Sequence, residues 1–143
     1  MNPPGRSGER VVPGSPEDWL AHAESDLNLA RLAKDHEEIL PEQVCFHAQQ
    51  AAEKALKAVL LDRKIEFPLI HDIEELLEIA TQGGLLVPPD VADAGMLTPY
   101  AVEARYPGSE EEITPSQVDE AIRLAEDIVA WAAGMVVSYK QPS

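Results

Sequence analysis

Long apolar runs are missing from this chain of 143 residues, and a helix that crosses a bilayer needs about twenty apolar residues in succession. The first residues, MNPPGRSGERVVPGS, lack the apolar core of a secretory signal, so the expectation is a soluble, cytoplasmic protein. Cysteine is reduced to Cys45, which excludes a disulfide within the chain and a Cys-based metal site and fits a reducing compartment. Cations are scarce: 11 Lys and Arg stand against 26 Asp and Glu, a formal net charge of -15 at pH 7. Such a field repels polyanions, which excludes broad, sequence-independent nucleic-acid binding. The few bases are unevenly spread, because Lys54, Lys57, Arg63 and Lys64 fall close together while the region after His71 is strongly acidic. A local anion site is left open.

The motifs of the common enzyme sites are also missing. No two of His22, His36, His47 and His71 stand at i, i+4, and there is no HExxH, GxxxxGK[ST], GxGxxG or GxSxG, so the usual zinc, phosphate-loop and nucleophile-elbow arrangements are excluded. No metal and no cofactor is expected. His22 has Asp18 and Asp26 one turn away on either side, the pattern of a surface ion-pair cluster. Cys45 and His47 point about 200° apart on a helix, which prevents a thiolate–base pair.

What is present is helical periodicity. Residues 1–14 have the composition of a disordered arm, 15–138 form one domain, and 139–143 a flexible tail. Ser15 is a good N-cap with Pro16 at the first helical position, and the apolar pattern of this first helix runs on and fades near Leu40. Pro41 opens a second helix that reaches about Lys64 without Gly or further Pro. One face of it, from Val44 and Cys45 through Ala48, Ala51, Ala52, Ala55 and Ala58, is core. The opposite arc carries Gln49, Gln50, Glu53, Lys54 and Lys57, with His47 at its border and Phe46, Leu60 and Leu61 interspersed. Asp72 and Glu75 cap a third helix over about 73–82, with Gly83 where a C-cap is wanted. A shorter helix covers Asp90 to Leu97, Pro99 interrupts it, and Tyr100 to Gly108 reads as a turn or frayed segment. Thr114, Pro115 and Gln117 start a last helix that runs to about Val137. The fold class is all-α, an up-and-down antiparallel bundle of about five helices.

Ala104-Arg105-Tyr106-Pro107-Gly108 combines a forked cation suited to phosphate, a flat stacking ring and a rigid turn. His47, Gln50, Lys54 and Lys57 lie within about 80° on helix two, so they can line one groove that Arg105 and Tyr100 or Tyr106 close, with Glu53 orienting a cation. The candidate nucleotide-binding set is therefore His47, Gln50, Glu53, Lys54, Lys57, Tyr100, Arg105 and Tyr106, with no catalytic residue.

The run Cys45-Phe46-His47-Ala48-Gln49-Gln50-Ala51-Ala52-Glu53-Lys54-Ala55-Leu56-Lys57, followed by His71-Asp72-Ile73 and Ala104-Arg105-Tyr106-Pro107, resembles the HEPN (higher eukaryotes and prokaryotes nucleotide-binding) family over residues 16–137. The resemblance implies a bundle of about five helices, frequent homodimers, and pairing with a small nucleotidyltransferase, as in toxin–antitoxin-like pairs. It also implies a site for a nucleotide or nucleotidyl substrate. Many members are ribonucleases that use Arg, four to six spacers and His at the start of a late helix. Here no histidine follows Arg105, so a non-catalytic binding module is expected. One formal match, Arg31-Leu32-Ala33-Lys34-Asp35-His36, lies near the end of helix one. It defines the alternative of a ribonuclease toxin. A further alternative is a structural dimeric subunit whose seam uses Phe46, Leu60 and Leu61.

Overall fold

The computed structural model describes residues 14–101 and 112–136. Five α-helices and one 3₁₀ segment follow in order: α1 Pro16–Ala33, α2 Pro41–Asp62, α3 Ile73–Gln82, α4 Pro89–Ala92, the 3₁₀ segment Asp93–Ala101, and α5 Pro115–Met135. No strand occurs among the described residues, as the all-α expectation required. The proposed arm and tail, and the turn carrying Arg105 and Tyr106, lie outside the described residues.

Local chemistry sets the helix starts. The Ser15 hydroxyl accepts from the Asp18 N–H at 3.1 Å while the Asp18 carboxylate accepts from the Ser15 N–H at 3.1 Å, which satisfies two donors that a helix start would leave orphaned. Thr114 and Gln117 repeat the reciprocal pair on α5. At α3 the Asp72 carboxylate accepts from Glu75 N–H at 3.2 Å. The ends of α2 and α3 are set by left-handed residues. Gly84 (φ 99°) follows α3 and Lys64 (φ 58°) follows α2, and beyond each the next N–H reaches back, Leu85 to the Ala80 carbonyl and Ile65 to the Leu60 carbonyl. These are Schellman closures. Gly83, the expected C-cap, has an ordinary φ of -80°. A Cβ at Gly83 would lie 2.8 Å from Ile65 Cδ1, so any side chain there would make Ile65 shift.

Two boundaries differ from the expected ones. Helix α1 stops at Ala33 rather than fading near Leu40, because 34–40 turns the chain back to let α2 pack along α1. The expected helix from Asp90 to Leu97 is α-helical only to Ala92 and then tightens into a 3₁₀ segment that carries Pro99 and Tyr100. Pro99 has no N–H to give, and in a regular α-helix its ring would clash with the carbonyl four residues back.

Helix α2 is the axis of the bundle and packs against α1, α5, α3 and the 3₁₀ segment. Its alanines Ala48, Ala51, Ala52, Ala55 and Ala58 are all fully buried, and small side chains let neighbouring helix backbones approach closely. With neighbours on so many sides, α2 has little solvent arc left. Leu60, expected on a partly apolar surface, is 0% exposed, which corrects that premise for a dimer seam. Phe46 and Leu61 are only half-buried.

Candidate functional site

The polar arc of α2 is divided into two ionic groups. The inner one is a ladder at i, i+4, i+8, the spacing that stacks side chains on one helix face. The Lys57 ammonium donates to Glu53 Oε2 at 2.8 Å, Gln49 Nε2 donates to Glu53 Oε1 at 2.9 Å, and Gln50 Nε2 donates to Gln49 Oε1 at 2.8 Å. The loop before α3 completes it, since Gln49 Nε2 also reaches the His71 carbonyl at 3.3 Å and His71 Nδ1 lies 2.9 Å from Glu53 Oε2. A carboxylate only accepts, so Nδ1 is the donor in that contact.

Glu53 and Lys57 are 4% and 5% exposed at their side chains. Burial pushes the Glu53 carboxyl up, but hydrogen bonds from Lys57 and Gln49, the Lys57 charge and the His71 contact outweigh it, so its pKa lies below the ordinary value. Glu53 is thus ionised at neutral pH, and its charge is matched by an ammonium in a site screened from water.

The outer group crosses from α2 to α1. Asp26 on α1 accepts from the Lys54 ammonium at 2.6 Å through Oδ2, and its Oδ1 lies 3.2 Å from His47 Nδ1. His47 and Lys54 are seven positions apart, two turns of α2, and one carboxylate spans both. Their side chains keep 29% and 25% of their surface open. The His47 ring meets Phe46 edge-on, with centroids 5.4 Å apart and planes at 75°, a favourable aromatic geometry.

Of the residues expected to line one groove, the structure brings His47 and Lys54 together in the outer group. It places Gln50, Glu53 and Lys57 in the inner ladder. Lys57 is spent on Glu53 and withdrawn from solvent. Tyr100 is half-buried against the core from the 3₁₀ segment. Asp26, which holds the outer group, was read from sequence as a partner of His22. Its α2 partners are 21 and 28 residues away, and no local spacing signals them. Gln49 stands on the polar arc and His71 in the family-like run, but neither belongs to the candidate set. Arg31 of the formal Arg–His match donates to Glu126 Oε2 at 2.9 Å and Asn28 Oδ1 at 3.0 Å, and His36 lies in the following turn.

The arrangement can hold, through Lys54 and His47, an anionic or hydrogen-bond-accepting group. It presents no nucleophile activated by a base, and no group of three His, Cys, Asp or Glu among the described residues is placed to hold a metal ion. A bundle built on one small-residue axis with an ionic ladder along it defines an all-α domain class. The chain belongs to the HEPN domain family, whose model matches residues 16–135. It is also similar to the crystal structure of an archaeal HEPN homologue, at 32% identity and a TM-score of 0.69, over 86% of this chain and 98% of that one. No curated protein matches the sequence. No helix among the described residues is long and apolar enough to cross a membrane.

Proposed function

We propose that this HEPN domain is a non-catalytic binding module that holds a nucleotide, or the nucleotidyl substrate of a separate nucleotidyltransferase, at the outer end of the α2 arc. Such a module suits a toxin–antitoxin-like pair. The observation that carries the reading is the Asp26-held pair of His47 and Lys54. The ammonium has two N–H groups beyond the one given to Asp26, and both side chains are fixed in direction yet open to solvent. Ligand groups that arrive there meet donors already oriented, which lowers the ordering cost of binding. Arg105 and Tyr106 would supply the bidentate phosphate contact and the stacking ring. The absence of any histidine after Arg105 supports binding without cleavage.

Titration calorimetry with nucleoside mono-, di- and triphosphates tests this directly. Lys54→Ala and Arg105→Ala should each weaken binding by about 1.5–3 kcal/mol, the range for a charged hydrogen bond. No heat and no thermal shift with any nucleotide at millimolar concentration would sink it. Metal-independent RNA cleavage that His36→Ala abolishes would instead support the ribonuclease alternative. The homodimer keeps a separate basis, because Leu29 and Leu32 on the outer face of α1 are 45% and 70% exposed, and light scattering decides it.

A further inference from the structure

We propose that the groove between α3 and α4 is a docking site for a basic, amphipathic segment of a partner protein, independent of any nucleotide site. From Ile65 to Ala101 the sequence holds seven acidic residues and no Lys or Arg. Four of the seven, Asp72, Glu74, Glu75 and Glu78, wall one groove of about 710 Å³. Its apolar surface comes from Leu77, Val87 and Ala92. The neighbour of Val87 in the chain, Leu86, is 91% exposed, the most open large apolar side chain among the described residues. At Gly95 the 3₁₀ backbone comes so close to Glu74 that a Cβ would fall 2.6 Å from its Cγ. The next residue, Met96, is 56% exposed.

Among the described residues the charge of these walls is left uncancelled. None of the ion pairs among the described residues includes any of the four. Asp72 is used locally, accepting from Glu75 N–H, but that bond leaves its charge in place. Glu74 and Glu78 stand at i, i+4 and Glu75 and Glu78 at i, i+3, so like charges repel along the helix. The placement of Glu74 and Glu75 in the first turn of α3 offsets part of this. Glu78, a turn further on, gains less.

Three kinds of cationic ligand would answer such a wall, and the geometry separates them. A metal ion needs carboxylates converging on one point, and no set of three here does so. A small polyamine would use the charges and leave the apolar floor of Leu77, Val87 and Ala92, and Leu86 beside it in the chain, uncovered. A segment with Lys or Arg on one side and Leu-like residues on the other matches both the spread acids and the apolar floor, as complementary potentials and buried anchors do at protein interfaces.

The test uses the full chain and a labelled synthetic peptide of about twelve residues alternating Lys/Arg with Leu, with binding followed by anisotropy. Glu74→Lys with Glu78→Lys should weaken the peptide about tenfold or more, and Leu86→Ser with Met96→Ser should weaken it several-fold. The same double reversal at Glu37 and Glu38, exposed in the turn after α1, should change it less than about twofold. All six positions are exposed, so the variants keep the fold, which thermal unfolding verifies. Equal losses from the groove and turn reversals would overturn the proposal. So would equal binding of a peptide with every Leu replaced by Ser, or of spermidine in place of the peptide.

Discussion

Two regions of this bundle carry acidic residues under opposite conditions. Along α1, α2 and α5 many of the carboxylates are paired: Asp26 holds Lys54, Glu53 holds Lys57, Asp119 holds Lys34, Glu126 holds Arg31, and Glu120 and Asp127 share Arg123. From α3 through the 3₁₀ segment the sequence holds no Lys or Arg, and among the acids there Asp93 feels a cation of another helix, Arg123 of α5. The ion pair that reaches this half among the described residues runs from the loop before α3, where His71 meets Glu53 of α2. Net charge is thus a poor guide to where binding occurs. In the first region, pairs such as Asp26–Lys54 and Glu126–Arg31 tie helices together, others lie within one helix, and part of the field is cancelled. In the second, they cost stability and remain available to a partner.

The largest expected effect is at the deepest pair. Lys57→Met removes the ammonium and leaves Glu53 buried, a change that costs roughly 3–5 kcal/mol in comparable sites. The low end is expected because Gln49 and His71 still donate to the carboxylate. Adding Glu53→Gln should recover much of the loss, since no charge then remains to be orphaned. Urea unfolding of the two variants checks this, and a double variant no better than the single one would refute the account.

The same pair sets an acid dependence whose sign can be reversed. In the wild type the Glu53 pKa is lowered from the ordinary 4.5. The stability it supplies is complete above that unfolded value and is lost as pH falls through the lower folded one. In Lys57→Met the main opposing contacts are gone and burial, the largest single influence on this group, pushes the carboxyl up. That variant should therefore fall furthest below the wild type near neutrality and close the gap on acidification, as unfolding midpoints across the acid range would show.

A smaller loss is expected at the outer group. Asp26→Ala frees both His47 and Lys54, which are partly open to water and can be resolvated, so about 1–2 kcal/mol is expected. Under the proposed function it also loosens the donors, so nucleotide affinity should fall even though a negative charge has been removed. A rise in affinity would mean that Asp26 competes with the ligand rather than orienting its site.

Much of the fold was legible because the helix signals are local. Ser15–Asp18, Thr114–Gln117 and Pro41 act within one turn, and the starts of α1, α5 and α2 follow from them. The 3₁₀ segment was not legible, because its tightening depends on packing against α2 and α3 that no neighbouring residue encodes. For the site, the spacing of Gln49, Glu53 and Lys57 showed that they share a face but not that the face is buried. Opposite a stripe of alanines a charged arc reads as solvent-facing, and only the neighbours that surround α2 close it off. Asp26 was missed for a related reason, since its nearest basic residue in sequence is not its partner in space.

The smallest effect sharpens the comparison most, because it is the one place where removing charge should help. Glu78→Gln relieves repulsion with Glu74 at i−4 and Glu75 at i−3 and keeps the side-chain length and helix propensity nearly unchanged. It lies beyond the first turn of α3 and so gives up no attraction to the helix N-terminus. Glu78 has no ion-pair partner among the described residues, so nothing is broken. The gain should be a few tenths of a kcal/mol. It should shrink as salt is raised, because exposed charges are screened beyond about 10 Å at 0.1 M. A contrasting pair of changes on α5, Glu120→Gln with Asp127→Asn, strips Arg123 of both partners and should cost up to about 1 kcal/mol. Denaturation of the two variants at low and high salt reads the difference in sign. If both lose stability, the α3 acids have stabilising contacts within the chain and the groove is not a reserve of unmatched charge.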